Sequence, residues 1–262
     1  MSLARLITIV GQVPLLGGAL RRFARSFREG SVTTIRSGVG KGLQWVRHHR
    51  YVSGYWLGQY ELPLQEALAK AVTPGMTVFD IGANAGFFSL IAARLAGPPG
   101  KCVAFDPLPE NVASVREQLA LNRFAHGEVV EGAVGGRNGR ASISFHLSNN
   151  SMAHLGTAGS GETTIEVELV TVDEAVRRFG RPHVVKVDVE GAELEVLRGA
   201  KGLLAESPPT WILEVHDPGQ SGELRAALGP GYEWFTLAGE RIPAGGPLPT
   251  HAVAKVSGRG PA

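Results

Sequence analysis

The residues most suited to chemistry lie in two short runs near the middle of the chain. The first is Lys186-Val187-Asp188-Val189-Glu190-Gly191. In an extended strand, residues two apart share a face, so Lys186, Asp188 and Glu190 project together. A central parallel strand is normally apolar throughout, and charges there are costly unless paired or functional. The second run, Trp211-Ile212-Leu213-Glu214-Val215-His216, carries Glu214 and His216 in the same way. Such a rim can orient a polar acceptor and take a proton from its hydroxyl, with His216 as a base titrating near neutrality. Asp188, Glu214 and His216 could also hold a divalent cation such as magnesium. The alternative is a self-satisfied ion-pair network that uses Lys186 and Arg198.

A glycine-bearing loop, Asp80-Ile81-Gly82-Ala83-Asn84-Ala85-Gly86, is the other chemical feature. It follows an apolar strand and precedes a helix, where open parallel sheets bind ligands. The full dinucleotide spacing is missing, because Asn84 stands where the second glycine would be. A carboxylate at Asp80 is unfavourable beside a pyrophosphate but suits a ligand with a sulfonium and an amino group. S-adenosylmethionine is such a ligand, and its one carboxylate can meet the helix N-terminus. Gly82, Ala83, Asn84, Gly86 and Phe87 are therefore assigned to the cofactor loop. Asp106, at the end of the next strand, is placed to accept ribose hydroxyls. Ala133 and Val134, after a third strand, are placed to line an adenine pocket. A nicotinamide-dependent oxidoreductase and a non-catalytic cofactor-binding protein remain the competing readings.

These groups need a sheet to hold them. Apolar strands at Thr77 to Ile81, Lys101 to Asp106, Glu128 to Gly132, His183 to Asp188, Trp211 to Val215, Tyr232 to Leu237 and His251 to Lys255 give about seven core strands. Helix-period runs alternate with them, which predicts an α/β fold with a Rossmann-like sheet and helices on both faces. Ser142 to Leu147 and Thr163 to Val170 alternate apolar and polar residues, as an antiparallel insert does. Thr171-Val172-Asp173-Glu174 has the capping-box pattern, and one helix is expected from Ala192 to Leu204. Residues 1–72 form an N-terminal extension of helices and loops, and residues 73–262 the cofactor-binding domain. Tyr51, Tyr55, Trp56 and Tyr60 in the extension pack as a core or wall a pocket.

The chain has 262 residues, 44% of them hydrophobic and 19% charged, which suits one large folded domain with an arm. Twenty-six basic and 24 acidic side chains leave a net charge of +2, which makes no case for nucleic acid. Basic residues concentrate early, at Arg5, Arg21, Arg22, Arg25, Arg28, Arg36, Lys41, Arg47 and Arg50. Leu6 to Leu20 is apolar but shorter than the ~20 residues of a spanning helix. It reads as a helical arm that packs on the domain or rests on a membrane surface. A single cysteine, Cys102, allows no internal disulfide and fits a reducing, cytoplasmic setting, with peripheral contact at the inner membrane surface through the arm.

Val78-Phe79-Asp80-Ile81-Gly82-Ala83-Asn84-Ala85-Gly86-Phe87-Phe88-Ser89-Leu90 resembles the cofactor motif of FkbM-type methyltransferases. Lys186-Val187-Asp188-Val189-Glu190-Gly191-Ala192-Glu193-Leu194-Glu195-Val196-Leu197-Arg198-Gly199-Ala200 resembles that family's second signature. Ala104 to Asn111 and Leu213 to His216 match in order and spacing, and the resemblance runs from about Trp56 to Asp217. It implies a class I methyltransferase fold and O-methylation of a hydroxyl on a sugar, glycolipid or natural product. It also implies that Asp80, Gly82, Asn84, Gly86 and Asp106 touch the cofactor, while Asp188, Glu190, Glu214 and His216 face the acceptor. Asp106 departs from the family, which more often has glutamate there.

Overall fold

The computed structural model describes residues 27–51, 54–146, 149–155 and 163–257. The chain divides between Leu62 and Pro63 into two compact units. In the first, β1 (Ser31–Thr34) and β2 (Gln44–Arg47) form an antiparallel hairpin, with Ser31 opposite Arg47. A 3-10 turn covers Tyr55–Leu57. Tyr55 is buried, its ring 5.2 Å from Trp45 and 4.7 Å from Tyr60, so these aromatics pack on one another. A hairpin therefore stands where helices and loops were expected. The apolar run from Leu6 to Leu20 lies outside the described residues.

The second unit carries the large sheet. Helix α1 (Leu62–Ala71) leads to β3 (Thr77–Ile81), α2 (Phe87–Ala96), β4 (Lys101–Asp106), α3 (Pro109–Leu121) and β5 (Gly127–Glu131). Later come β10 (Val184–Val187), β11 (Thr210–Glu214), α7 (Ser221–Leu228), β12 (Tyr232–Phe235) and β13 (His251–Val256). The seven strands lie in the order β12-β13-β11-β10-β3-β4-β5. β5, β4, β3, β10 and β11 are parallel neighbours, and β13 runs against both β11 and β12. Every residue of β10 is buried, as are all but the first of β3 and β4. Phe79, Phe105 and Trp211 fill the core, with Phe79 and Phe105 edge to face at 5.5 Å. The strand order reverses between β3 and β10. That switch point opens a crevice at the carboxyl ends of both strands, where the loop after β3 and the Asp188 run meet.

Between β5 and β10 the chain forms a separate sheet, ordered β6-β9-β7-β8. Its strands are β6 (Ala133–Val134), β7 (Gly139–His146), β8 (Asn149–Leu155) and β9 (Thr163–Val170). β7 and β9 pair antiparallel with Ile143 opposite Ile165, as their alternating pattern predicts. β8 was not expected, because Asn149-Asn150-Ser151 gives no apolar alternation. Helix α4 (Val172–Phe179) is capped by Thr171, whose Oγ1 accepts from Glu174 N at 3.1 Å. The reciprocal half of the box is absent: Glu174 binds Arg177 and Arg178, and Thr171 N donates to Asn138 Oδ1 at 2.8 Å. The single helix expected from Ala192 to Leu204 is two, α5 (Glu193–Arg198) and α6 (Lys201–Glu206). Gly199 separates them, and a Cβ there would lie 2.2 Å from Gly135 O. No helix among the described residues is long and apolar enough to cross a membrane.

Candidate active site

The loop after β3 is held from beneath by buried charge. Parallel pairing sets Lys186 of β10 beside Asp80 of β3. Lys186 Nζ lies 3.1 Å from Asp80 Oδ1 and 3.4 Å from Asp188 Oδ2, and it donates to Gly82 O at 2.9 Å. Ser89 Oγ donates to Asp80 Oδ2 at 2.5 Å. Asp80 is 1% exposed. Its charge is answered in part within the protein, by the Lys186 ion pair and the Ser89 hydrogen bond, while Oδ1 accepts no hydrogen bond. Desolvated ions this deep require such partners.

Glycine is required at Gly82 by the sheet itself. Its φ is +80°, and a Cβ would sit 1.7 Å from Asp188 O, so the loop lies directly against the end of β10. At Gly86, φ is +90° and a Cβ would meet Val115 Cα of α3 at 3.0 Å. Asn84 also takes a positive φ, +48°. Its backbone N donates to Asp106 Oδ2 at 2.8 Å, while its Oδ1 is buried without a hydrogen-bond partner. Asp106 Oδ1 accepts from Leu108 N and from Asn111 Nδ2, each at 3.0 Å. Three N–H groups therefore occupy a carboxylate with about four acceptor sites. Burial pushes the Asp106 carboxyl up to about 7, against the pull of those donors.

Ala83 and Phe87 are buried, Phe87 with its ring 5.5 Å from Phe88. Ala133 and Val134 are buried on the short strand β6: Ala133 packs with Ile143, Val167 and Leu169 of the insert, and Val134 belongs to the main core. Both are thus committed to packing.

On the other side of the crevice the acidic rim converges. Asp188, Glu190, Glu214 and His216 are all part-exposed, between 20% and 30%. His216 Nε2 lies 3.3 Å from Glu190 Oε2, 3.8 Å from Glu214 Oε1 and 3.9 Å from Asp188 Oδ1. Its Nδ1 is 2.7 Å from Glu193 Oε1, and Glu193 is only 2% exposed. The hydrogen bond to Glu193 comes first, followed by the neighbouring carboxylates, in raising the His216 pKa to about 9. That shift favours the imidazolium form of His216 at neutral pH, where the unperturbed pKa had suggested a base. Burial raises the Asp188 and Glu190 carboxyls above the usual range. For Glu214 burial pushes upward too, but His251, His216 and Lys186 outweigh it and the net shift is downward.

Asp188, Glu190 and His216 each bring a potential ligand atom within 4.8 Å of the others. Glu214, named in the expected cation set, is instead the cross-strand partner of His251, at 3.4 Å. Arg198 takes no part in the rim; it pairs with Glu195 at 2.5 Å and Glu223 at 3.7 Å. Glu193 and His251 were missed. Glu193 stands in the quoted signature, but nothing in its spacing says that it turns inward to His216. His251 is reached through the antiparallel pairing of β11 with β13, a register that the sequence does not specify.

Known proteins align with this arrangement. The family model described as the methyltransferase FkbM domain matches residues 80–238. The 31-O-demethyl-FK506 methyltransferase FkbM of Streptomyces tacrolimicus is 30% identical over 215 residues, which cover 69% of this chain and 80% of that one. The hexuronic acid methyltransferase AglP of Haloferax volcanii is 31% identical over 144 residues, 53% of this chain and 55% of its own. The crystal structure of methyltransferase FkbM from Methylobacillus flagellatus superposes with a TM-score of 0.48 at 13% identity, covering 79% of this chain and 53% of that one. The chain thus spans just over half the length of two of these three proteins. Strand order β5-β4-β3-β10-β11-β13-β12, with β13 reversed, is that of a class I methyltransferase sheet. The loop from Asp80 and the rim from Lys186 both fall inside the matched segment, and the chain belongs to the FkbM methyltransferase domain family.

Proposed function

We propose that this chain is an S-adenosylmethionine-dependent O-methyltransferase acting on a hydroxyl of a sugar, glycolipid or natural product. The observation that carries the reading is the rim of Asp188, Glu190, Glu214 and His216 facing the same switch point as the Gly82 to Gly86 loop. The loop fits the cofactor on two counts. Asn84 Oδ1 is a buried acceptor without a partner, and Asp106 retains one acceptor site for a ribose hydroxyl. The excess of carboxylate on the rim suits the ligand's cationic sulfonium and ammonium better than a dinucleotide's pyrophosphate. The acceptor class follows by similarity from the hexuronic acid and demethyl-FK506 methyltransferases.

S-adenosylmethionine, when bound, supplies an electrophilic methyl group. The chain's own residues orient the acceptor and move its proton. With the His216 pKa raised to about 9, a carboxylate is the better acceptor for that step. Glu190 and Asp188 are both part-exposed with proton affinity raised by burial, but Asp188 is held by Lys186 at 3.4 Å, which leaves Glu190 as the stronger candidate. His216 then acts as a fixed cation that keeps the neighbouring carboxylates ionised and in place.

Calorimetric titration with S-adenosylhomocysteine, in parallel with NAD, tests the cofactor. Micromolar binding of the first alone supports the reading; binding of NAD, or of neither, overturns it. Exposed Arg28, Arg36, Lys41 and Arg50 support a further contact with an anionic membrane surface. That contact predicts salt-sensitive flotation of the full chain with phosphatidylglycerol vesicles and none with phosphatidylcholine.

A further inference from the structure

Glu193 is the most deeply buried acid of the rim and the one the expected chemistry left without a task. At 2% exposure it has lost nearly all its water, so its carboxylate must be satisfied by the protein. One oxygen, Oε1, does this twice: it accepts from Gly191 N at 3.0 Å and from the His216 ring at Nδ1, 2.7 Å away. The first bond is local and holds the turn that carries Glu190 (φ +51°) and Gly191 (φ +97°). The second crosses from the β10 connection to the second residue after β11, 23 positions away in sequence.

A turn cap needs no histidine, and a surface histidine needs no buried carboxylate behind it. The pairing makes sense if the opposite edge of the imidazole has a task. That edge, Nε2, faces Glu190, Glu214 and Asp188 within 3.9 Å. With Nδ1 held as a donor to Glu193, the ring can neither flip nor change which nitrogen it offers to the rim. The same oxygen fixes the backbone that presents Glu190. One carboxylate thus sets the separation between the Glu190 side chain and the His216 Nε2 edge.

We infer that Glu193 is a positioning residue, which clamps the His216 ring and the Gly191 turn so that His216 Nε2 and Glu190 meet in fixed geometry at the acceptor side of the crevice. The inference rests on the methyltransferase reading of that rim, and its test is independent of cofactor binding. The experiment is long-range proton–nitrogen NMR of full-length protein labelled at histidine nitrogens, at pH 7. The H216Q variant assigns the His216 signals by their loss. Wild type is expected to show a proton on His216 Nδ1 in the strongly hydrogen-bonded, downfield range. E193Q is expected to lose that downfield resonance, and E193D to restore it in part, while the wild-type chain binds S-adenosylhomocysteine throughout. Two results overturn the inference. One is a wild-type His216 with no proton on Nδ1, which needs no variant to fold. The other is an E193Q spectrum with His216 unchanged, which would leave Glu193 as a cap of the Gly191 turn alone. If S-adenosylhomocysteine does not bind wild type, the methyltransferase reading fails instead, and the clamp is judged by the spectra.

Discussion

Asp106 closes the loop after β3 by accepting the backbone N–H of Asn84 at 2.8 Å, across 22 residues of sequence. The contact ties the end of β4 to the middle of the loop and holds Asn84 at its positive φ. Asp106→Asn keeps the size but presents an amide N–H₂ to groups that are themselves donors: Asn84 N, Leu108 N and Asn111 Nδ2. At least one buried donor is left facing another. The expected cost is about 1–3 kcal/mol of stability, read by chemical denaturation. Affinity for S-adenosylhomocysteine should fall by at least about tenfold, because the loop loses its tie. A variant with wild-type affinity would show that Asp106 is dispensable to the loop.

Lys186 is the only described cation in contact with the buried Asp80, and it also serves Gly82 O and Asp188. The Lys186 and Asp80 side chains are 5% and 1% exposed. Lys186→Met preserves length and removes the charge, leaving the buried Asp80 carboxylate with the Ser89 hydrogen bond but no counter-ion. Breaking a buried pair from one side costs about 3–5 kcal/mol. Asp80→Asn in the same chain should recover part of that loss, since the stranded charge is gone. The check is a double-mutant cycle by urea denaturation. Additive losses would mean that the two charges do not depend on each other.

His216 gives a pH signature. Its pKa is raised to about 9, first by the hydrogen bond to Glu193, whereas an unfolded histidine titrates near ~6.5. The folded state therefore holds the proton more tightly than the unfolded state. This contribution to stability is complete below ~6.5 and is lost as pH rises through about 9. Wild type should lose stability between pH 6.5 and pH 9 more steeply than His216→Gln, measured by denaturation at each pH. Parallel curves would show that the imidazolium is not held by the rim.

The legibility of this chain follows physical lines. The central strands of the large sheet could be read because burial on both faces imposes apolar runs such as Val78-Phe79 and Val184-Val185, while the edge strand β12 showed itself by alternation. The loop glycines could be read too, although the approach of Asp188 O, which by itself requires glycine at Gly82, could not. What escaped depends on register or on contacts distant in sequence. His251 meets Glu214 only because β13 pairs antiparallel with β11. Glu193 meets His216 only because two loops converge. The passing backbone of Gly135 requires glycine at Gly199, between the two helices, which no helical periodicity reveals. The direction of a carboxylate was the least legible: Asp80 and Asp106 both turn inward to protein partners.

Glu190 allows stability and activity to be separated in one residue. It is one of four described non-glycine residues with positive φ, and it sits at φ +51° between two groups of the rim. Such a conformation costs a side-chain-bearing residue on the order of 1 kcal/mol, whereas glycine adopts it freely. Glu190→Gly should therefore leave the protein as stable as wild type or more stable by up to about 1 kcal/mol, after glycine's greater unfolded-state entropy is counted. The same change removes the carboxylate 3.3 Å from His216 Nε2. If that carboxylate takes the acceptor's proton, methyl transfer should fall by about 100-fold or more, with S-adenosylhomocysteine affinity little changed. Glu190→Gln supplies the control, since it keeps the strained backbone and the side-chain volume but not the basic oxygen pair. It should lose turnover as Glu190→Gly does without the gain in stability. Thermal unfolding and transfer of a labelled methyl group to an acceptor that wild type methylates read the two effects. Full turnover in Glu190→Gln would move the proton-accepting role to Asp188.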